Sequence, residues 1–177
     1  MRTTGFLLGM LLCGTTLFGQ QKDWAGFDRY REANRTAKQD AEAVFMGNSI
    51  TEGWARMRPG FFADNGYIGR GISGQTSAEM LARFRPDVIE LAPKAVVILA
   101  GTNDIAQNNG PIELENVMDN IASMCELARL HNIRVLLCSV LPAAAFPWRE
   151  GIKPADSIIR LNAMIEAYAR ENGIEYV

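Results

Sequence analysis

Histidine is almost missing from this chain of 177 residues, and His131 is the one instance. Any chemistry that needs an imidazole must use His131 or do without it. Cysteine is scarce as well, with only Cys13, Cys125 and Cys138, so a zinc site built on clustered His and Cys ligands is not expected. Charge of one sign is also lacking. Lys and Arg number 18 against 20 Asp and Glu, a net of −2, and no run of like charge concentrates them. That balance excludes the basic face of a nucleic-acid binder and a polybasic membrane anchor. What is present is ordinary for a globular protein, with 48% hydrophobic and 21% charged residues. A chain of this length can bury a core without metal or disulfide staples. No internal repeat, low-complexity tract or linker interrupts it, which points to one domain.

The first residues have the pattern of an address. Arg2 precedes an apolar stretch from Phe6 to Leu12, followed by Cys13-Gly14-Thr15-Thr16-Leu17-Phe18-Gly19 and the polar Gln20-Gln21-Lys22-Asp23. A positive start, a short apolar core and a small residue before a polar segment make a secretory signal. The apolar core falls short of the ~20 residues of a membrane-spanning helix. Residues 1–19 are therefore expected to be a signal peptide and 20–177 the folded domain, placed outside the cell or in a periplasm, with no stable membrane insertion. A lipoprotein signal at Cys13 is the alternative, but Leu12 stands where a small residue is expected. Loss of the leader leaves Cys125 and Cys138, both in apolar surroundings and both expected as small buried hydrophobes. A disulfide between them requires Cα atoms within ~7 Å, which spacing alone does not supply.

Beyond the leader, strands and helices alternate. Trp24, Phe27, Tyr30, Ala33 and Ala37 predict an amphipathic helix from Trp24 to Lys38. Ala43-Val44-Phe45-Met46-Gly47 reads as a short buried strand, and Tyr67 to Ile72 as a second, weakened by its glycines. Ser77 to Phe84 looks helical and should stop before Pro86. The clearest strand is Ala95 to Ala100, closed by Gly101. A helix is expected from Pro111 to about His131-Asn132, then a strand from Ile133 to Val140. Pro154 opens a last helix with Ile158, Leu161, Ile165 and Tyr168 on one stripe, stopped by Asn172-Gly173, and Ile174 to Val177 begins a further strand. Strands apolar on both faces and separated by helices imply a parallel sheet covered on both sides, a three-layer α/β domain.

Polar motifs follow three of these strands. They are Gly47-Asn48-Ser49-Ile50-Thr51-Glu52-Gly53-Trp54, Gly71-Ile72-Ser73-Gly74-Gln75-Thr76 and Gly101-Thr102-Asn103-Asp104. In a parallel sheet the binding crevice lies outside the carboxyl ends of the strands, so Ser49, Gly74 and Asn103 are expected on one edge. In this order the motifs resemble those of the SGNH hydrolases, the GDSL-type esterases and lipases, and in particular the platelet-activating-factor-acetylhydrolase-like branch. The resemblance runs from Val44 to Val177. It implies a flavodoxin-like fold, Ser49 as nucleophile, and an oxyanion hole made by the backbone N–H of Ser49, the backbone N–H of Gly74 and the side-chain amide of Asn103. It implies no cofactor and no metal, and a small-molecule acyl ester as substrate; the oligomeric state stays open. The residue types suit the chemistry. A tetrahedral acyl intermediate gathers charge on one oxygen, and one fixed donor aimed there is worth ~3–4 kcal/mol. Glycine at 74 lets the backbone approach without a Cβ, and asparagine donates without titrating. Asp104 reads as a residue that holds its loop. Trp54 and the pair Phe61-Phe62 are candidates for an acyl pocket, although aromatics there are more often core, and the loop from Ala143 to Ile152 is long enough to border the crevice.

A serine hydroxyl needs a base, and the resemblance implies an Asp-x-x-His block after the last strand. No Asp-x-x-His occurs in these 177 residues. His131 lies between a helix and a strand, so it is expected at the opposite, amino-terminal edge. The expectation is that the chain stops short of that block. Two readings remain: an exported hydrolase of lipid or carbohydrate acyl esters, short acyl groups foremost, or a non-catalytic binding domain that keeps the crevice without the base.

Overall fold

The computed structural model describes residues 23–37 and 39–177; the expected leader, 1–19, lies outside the described residues. Five parallel strands form one sheet: β1 (Ala43–Gly47), β2 (Tyr67–Gly71), β3 (Ala95–Ile98), β4 (Arg134–Leu137) and β5 (Glu175–Tyr176), in the order β2-β1-β3-β4-β5. Eight helices join or precede them: α1 (Arg31–Thr36), α2 (Ser49–Met57), α3 (Pro59–Asp64), α4 (Ser77–Ala82), α5 (Phe84–Asp87), α6 (Thr102–Ile105), α7 (Leu114–Leu130) and α8 (Ala155–Asn172). This is the flavodoxin-like order. The chain leaves β1 in one direction to form β2, then returns past β1 to lay down β3, β4 and β5 on the other side. With every crossover right-handed, the reversal places α2 and α3 on one face and α4, α7 and α8 on the other.

Alternation along β1 assigns its side chains to these layers. Val44 and Met46 are fully buried in the apolar core shared with Ile121, Met124, Leu161 and Ile165. Phe45 points the other way and packs with Trp54, Phe62 and Tyr67 at ring-centroid distances of 5.3, 5.3 and 5.1 Å. The glycines that weaken β2 as a sequence pattern serve packing against α2. A Cβ at Gly69 would meet Ala55 Cβ at 2.6 Å, and one at Gly71 would meet the Glu52 nitrogen at 2.2 Å and the Asn48 oxygen at 2.6 Å. β2 is thus pressed against the first turn of α2, which begins at Ser49.

Several elements differ from expectation. The predicted helix from Trp24 to Lys38 shrinks to α1, Arg31–Thr36, which has no buried residue. The reason is local. The Asp23 carboxylate accepts from the backbone N–H of Phe27 at 2.9 Å and of Asp28 at 2.8 Å, and Gly26 has φ +68°; such side-chain bonds compete with a helix. The predicted helix Ser77–Phe84 ends at Ala82, but a new turn, α5, carries Pro86 in its first turn, where no N–H is required. α7 starts at Leu114 rather than Pro111, and β3 and β4 are four residues each, shorter than the apolar runs that contain them. Cys125 and Cys138 are free thiols, and burial pushes that of Cys125 up to about 12.

Candidate active site

Ser49 is the first residue of α2 and is exposed. Asn48 caps the helix: its side chain is 1% exposed and its Oδ1 accepts from Ile50 N at 3.0 Å. The N–H groups of a first helical turn have no partner inside the helix, so the Ser49 amide is left as a donor at the positive end of α2.

The second loop is a tight turn in which Gln75 N donates to Ile72 O at 3.3 Å. Gly74 occupies its third position with φ +81°, the left-handed value that a type II turn demands there. Its requirement for glycine is therefore conformational. The nearest atom a Cβ would meet is Asn108 Nδ2, at an ordinary 3.9 Å, so within the protein no crowding explains it. The Glu52 carboxylate ties this turn to α2. It accepts from the Ser73 backbone N–H at 2.9 Å, from the Ser73 hydroxyl, and from Arg29 at 2.7 Å. The Ser73 hydroxyl, followed by Arg29 and the Ser73 backbone amide, holds the Glu52 carboxyl below its usual range against the opposing effect of desolvation.

The third loop reaches the second directly. Asn103 is 3% exposed, and its Nδ2 donates to Gln75 O at 2.8 Å. A carboxamide NH2 has two hydrogens, so this bond orients the group and leaves one donor to aim elsewhere. Asn108 closes the loop's turn by donating its own N–H to Asn103 O at 3.0 Å, and its Nδ2 donates to Gly74 O at 2.9 Å. Asp104 holds the loop as expected. Both its oxygens accept from Ser77 N at 3.0 Å, and Oδ1 also accepts from the Ser77 hydroxyl at 2.6 Å. Burial pushes its carboxyl upward.

The loops of Ser49, Gly74 and Asn103 therefore leave the same edge of the sheet and are bonded to one another. Ser49 follows β1 and Asn103 follows β3, the two strands that flank the reversal of chain direction. The motif spacing did not reveal Glu52, Gln75 or Asn108. Three cavities among the described residues, of about 730, 680 and 470 Å³, are each lined by residues other than Ser49, Gly74 and Asn103. The smallest of these three comes nearest, bordered by Thr76 and Asp104. Trp54 and Phe61 stack at 5.2 Å and are about two-fifths exposed, whereas Phe62 is buried. In the loop after β4, Trp148 stacks on buried Phe146 at 5.0 Å, and its indole N–H donates to Asn108 Oδ1 at 3.3 Å, so this loop does reach the site's rim. His131 is exposed at the end of α7, just before β4, and so belongs to the amino-terminal edge. Among the described residues no helix is long and apolar enough to cross a membrane, and no group of three or more His, Cys, Asp or Glu side chains is placed to hold a metal ion.

Comparison with known proteins finds relatives of this chain. A GDSL-like lipase of Bacteroides thetaiotaomicron of known structure is 55% identical, with a TM-score of 0.84 over 86% of this chain and 77% of that one. Esterase TesA of Pseudomonas aeruginosa is 34% identical over 105 residues, 57% of this chain and 51% of TesA. The lipoprotein YqeF of Bacillus subtilis is 31% identical over 78 residues, 42% of this chain and 32% of YqeF. The aligned part thus spans about half of TesA and a third of YqeF. The GDSL-like Lipase/Acylhydrolase family matches residues 45–177, from within β1 through all three loops of the site to β5, and the chain belongs to that family.

Proposed function

We propose that this chain is the nucleophile-bearing part of an exported ester hydrolase that removes a short, acetyl-like acyl group from a lipid or carbohydrate ester. The observation that carries the reading is the bond from Asn103 to the peptide next to Gly74, at the edge where Ser49 opens α2. In this reading the Ser49 hydroxyl attacks the acyl carbonyl carbon. The charge that develops on its oxygen is met by the N–H of Ser49, the N–H of Gly74 and the free hydrogen on Asn103 Nδ2, with the α2 dipole adding to them. Collapse of the tetrahedral intermediate expels the alcohol and leaves an acyl-serine, which water then hydrolyses. The proton from Ser49 needs an acceptor. His131 is on the wrong edge, so the reading takes a histidine from an Asp-x-x-His block beyond Val177. Export rests on the pattern of residues 1–19.

The test compares the 177-residue chain with a version extended to the natural end of its gene, using a chromogenic acetyl ester. Turnover by the extended form that falls at least about 10³-fold in Ser49→Ala supports the hydrolase. Silence of both forms rejects it and leaves a binding domain.

A further inference from the structure

Under the three loops lies a charge that the mechanism does not use. Arg83, between α4 and α5, is 0% exposed. Its Nε donates to Gln75 Oε1 at 2.6 Å, Nη1 to Asp87 Oδ2 at 2.7 Å, and Nη2 to Gly47 O at 3.2 Å and Arg70 O at 2.9 Å. Three of these four partners lead to the site, while Asp87 is held instead by Asn34. Gly47 ends β1 two residues before Ser49. Arg70 lies in β2, just ahead of the Ser73-Gly74 turn. Gln75 follows Gly74, and its main-chain oxygen is the acceptor that orients Asn103. The Gln75 side chain is bonded at both ends, because Nε2 also donates to Ala25 O at 2.7 Å.

Stability alone is a poor reason for such a group. Burying a guanidinium and a carboxylate carries a desolvation penalty that their attraction often fails to exceed, and apolar side chains of similar size commonly fill such a space as well. A guanidinium offers what an apolar group lacks: donors in a rigid planar fork that fix several acceptors relative to one another. We propose that Arg83 is a positioning residue which, through Gly47 and Gln75, sets the Ser49 amide and the Asn103 carboxamide at the separation needed to meet one oxygen. The inference rests on the esterase reading for its catalytic consequence, but not for its structural one.

Two variants test it, Arg83→Lys, which keeps a charge opposite Asp87, and Arg83→Met combined with Asp87→Leu, which removes the pair together. In the extended chain, kcat for the acetyl ester is measured per active site, with sites counted by a serine-reactive phosphonate. The expected result is kcat lower by about 100-fold with KM within about threefold of wild type. A purely structural role would lower the melting temperature and the number of titratable sites but leave kcat per site within about threefold, and that result overturns the proposal. If the wild type shows no Ser49-dependent turnover, the esterase reading fails by itself. The side-chain amide resonance of Asn103 in the 177-residue chain then decides: a shift and faster hydrogen exchange in Arg83→Lys uphold positioning, and an unmoved signal refutes it. Failure of both variants to fold also refutes it in favour of structure alone.

Discussion

The two halves of this sheet are built on different physics. Every buried polar or charged residue among the described residues lies between Asn48 and Asp104. From Ile105 onward the buried set is apolar: Val117, Ile121, Met124, Cys125 and Ala128 on α7, Val135 and Leu137 on β4, and Ile158, Leu161, Ile165 and Ala169 on α8. The first half adds directional bonds, which fix where atoms point, to its own share of the apolar core, Val44, Met46, Phe84, Val96 and Ile98 among it. The second half is held by area and close packing, which are strong but carry little direction. Aim is concentrated where the three loops meet, and bulk stability is concentrated beside it.

That division can be broken from either side. Under the proposed ester hydrolysis, Asn103→Ala in the polar half removes a donor and is expected to lower kcat for the chromogenic acetyl ester by about 10²–10³-fold, with the chain still folded by circular dichroism. In the apolar half, Ile165→Ala is expected to destabilise by roughly 3 kcal/mol in denaturant titration, with kcat per folded molecule unchanged. A loss of kcat in the second variant would show that the halves are coupled. A smaller effect comes from Glu52. Its folded carboxyl lies below the usual value near 4.5, so its contribution is present above that pH and disappears as the pH falls through the folded value. Glu52→Gln should melt slightly lower than wild type at about pH 6, by less than about 1 kcal/mol because the pair is partly exposed. The gap should close as the pH falls through the folded value, and a gap independent of pH would exclude the carboxylate as its source. Smallest of all, Cys125, with its thiol near 12, should be labelled by a thiol reagent at about pH 8 only as fast as the chain opens. Ile165→Ala should speed that labelling, and Glu52→Gln at the same pH should barely change it.

Much of the fold could be read from the chain because burial on both faces leaves runs such as Ala95 to Ala100 and Ile133 to Val140 unmistakable. The ends of elements were less legible. The first helix was over-extended because one carboxylate, Asp23, ties down the N–H groups that a helix would use. The glycines of β2 looked like a weakness until α2 was seen lying against them. At the site, the motifs identify the strand ends that carry Ser49, Gly74 and Asn103. The residues that hold these loops together were invisible because their partners are distant in sequence, 21 positions from Glu52 to Ser73, 36 from Gly47 to Arg83 and 34 from Gly74 to Asn108. One such signal was available: Thr76 and Glu79 stand at capping-box spacing, and Thr76 N does donate to Glu79 Oε2 at 2.8 Å.

Ser49 and Asn103 leave neighbouring strands because the chain turns back past β1 after β2. That adjacency is set by the order of the strands and not by any one side chain. Within the stretch from Ala143 to Ile152, which leans on Asn108 through Trp148, Phe146 is buried in the core while residues 147–151 are exposed, so the exposed tip can be lengthened or shortened without moving the strands. Inheritance can thus alter one surface segment beside the three loops while the strand order that brings those loops together stays fixed.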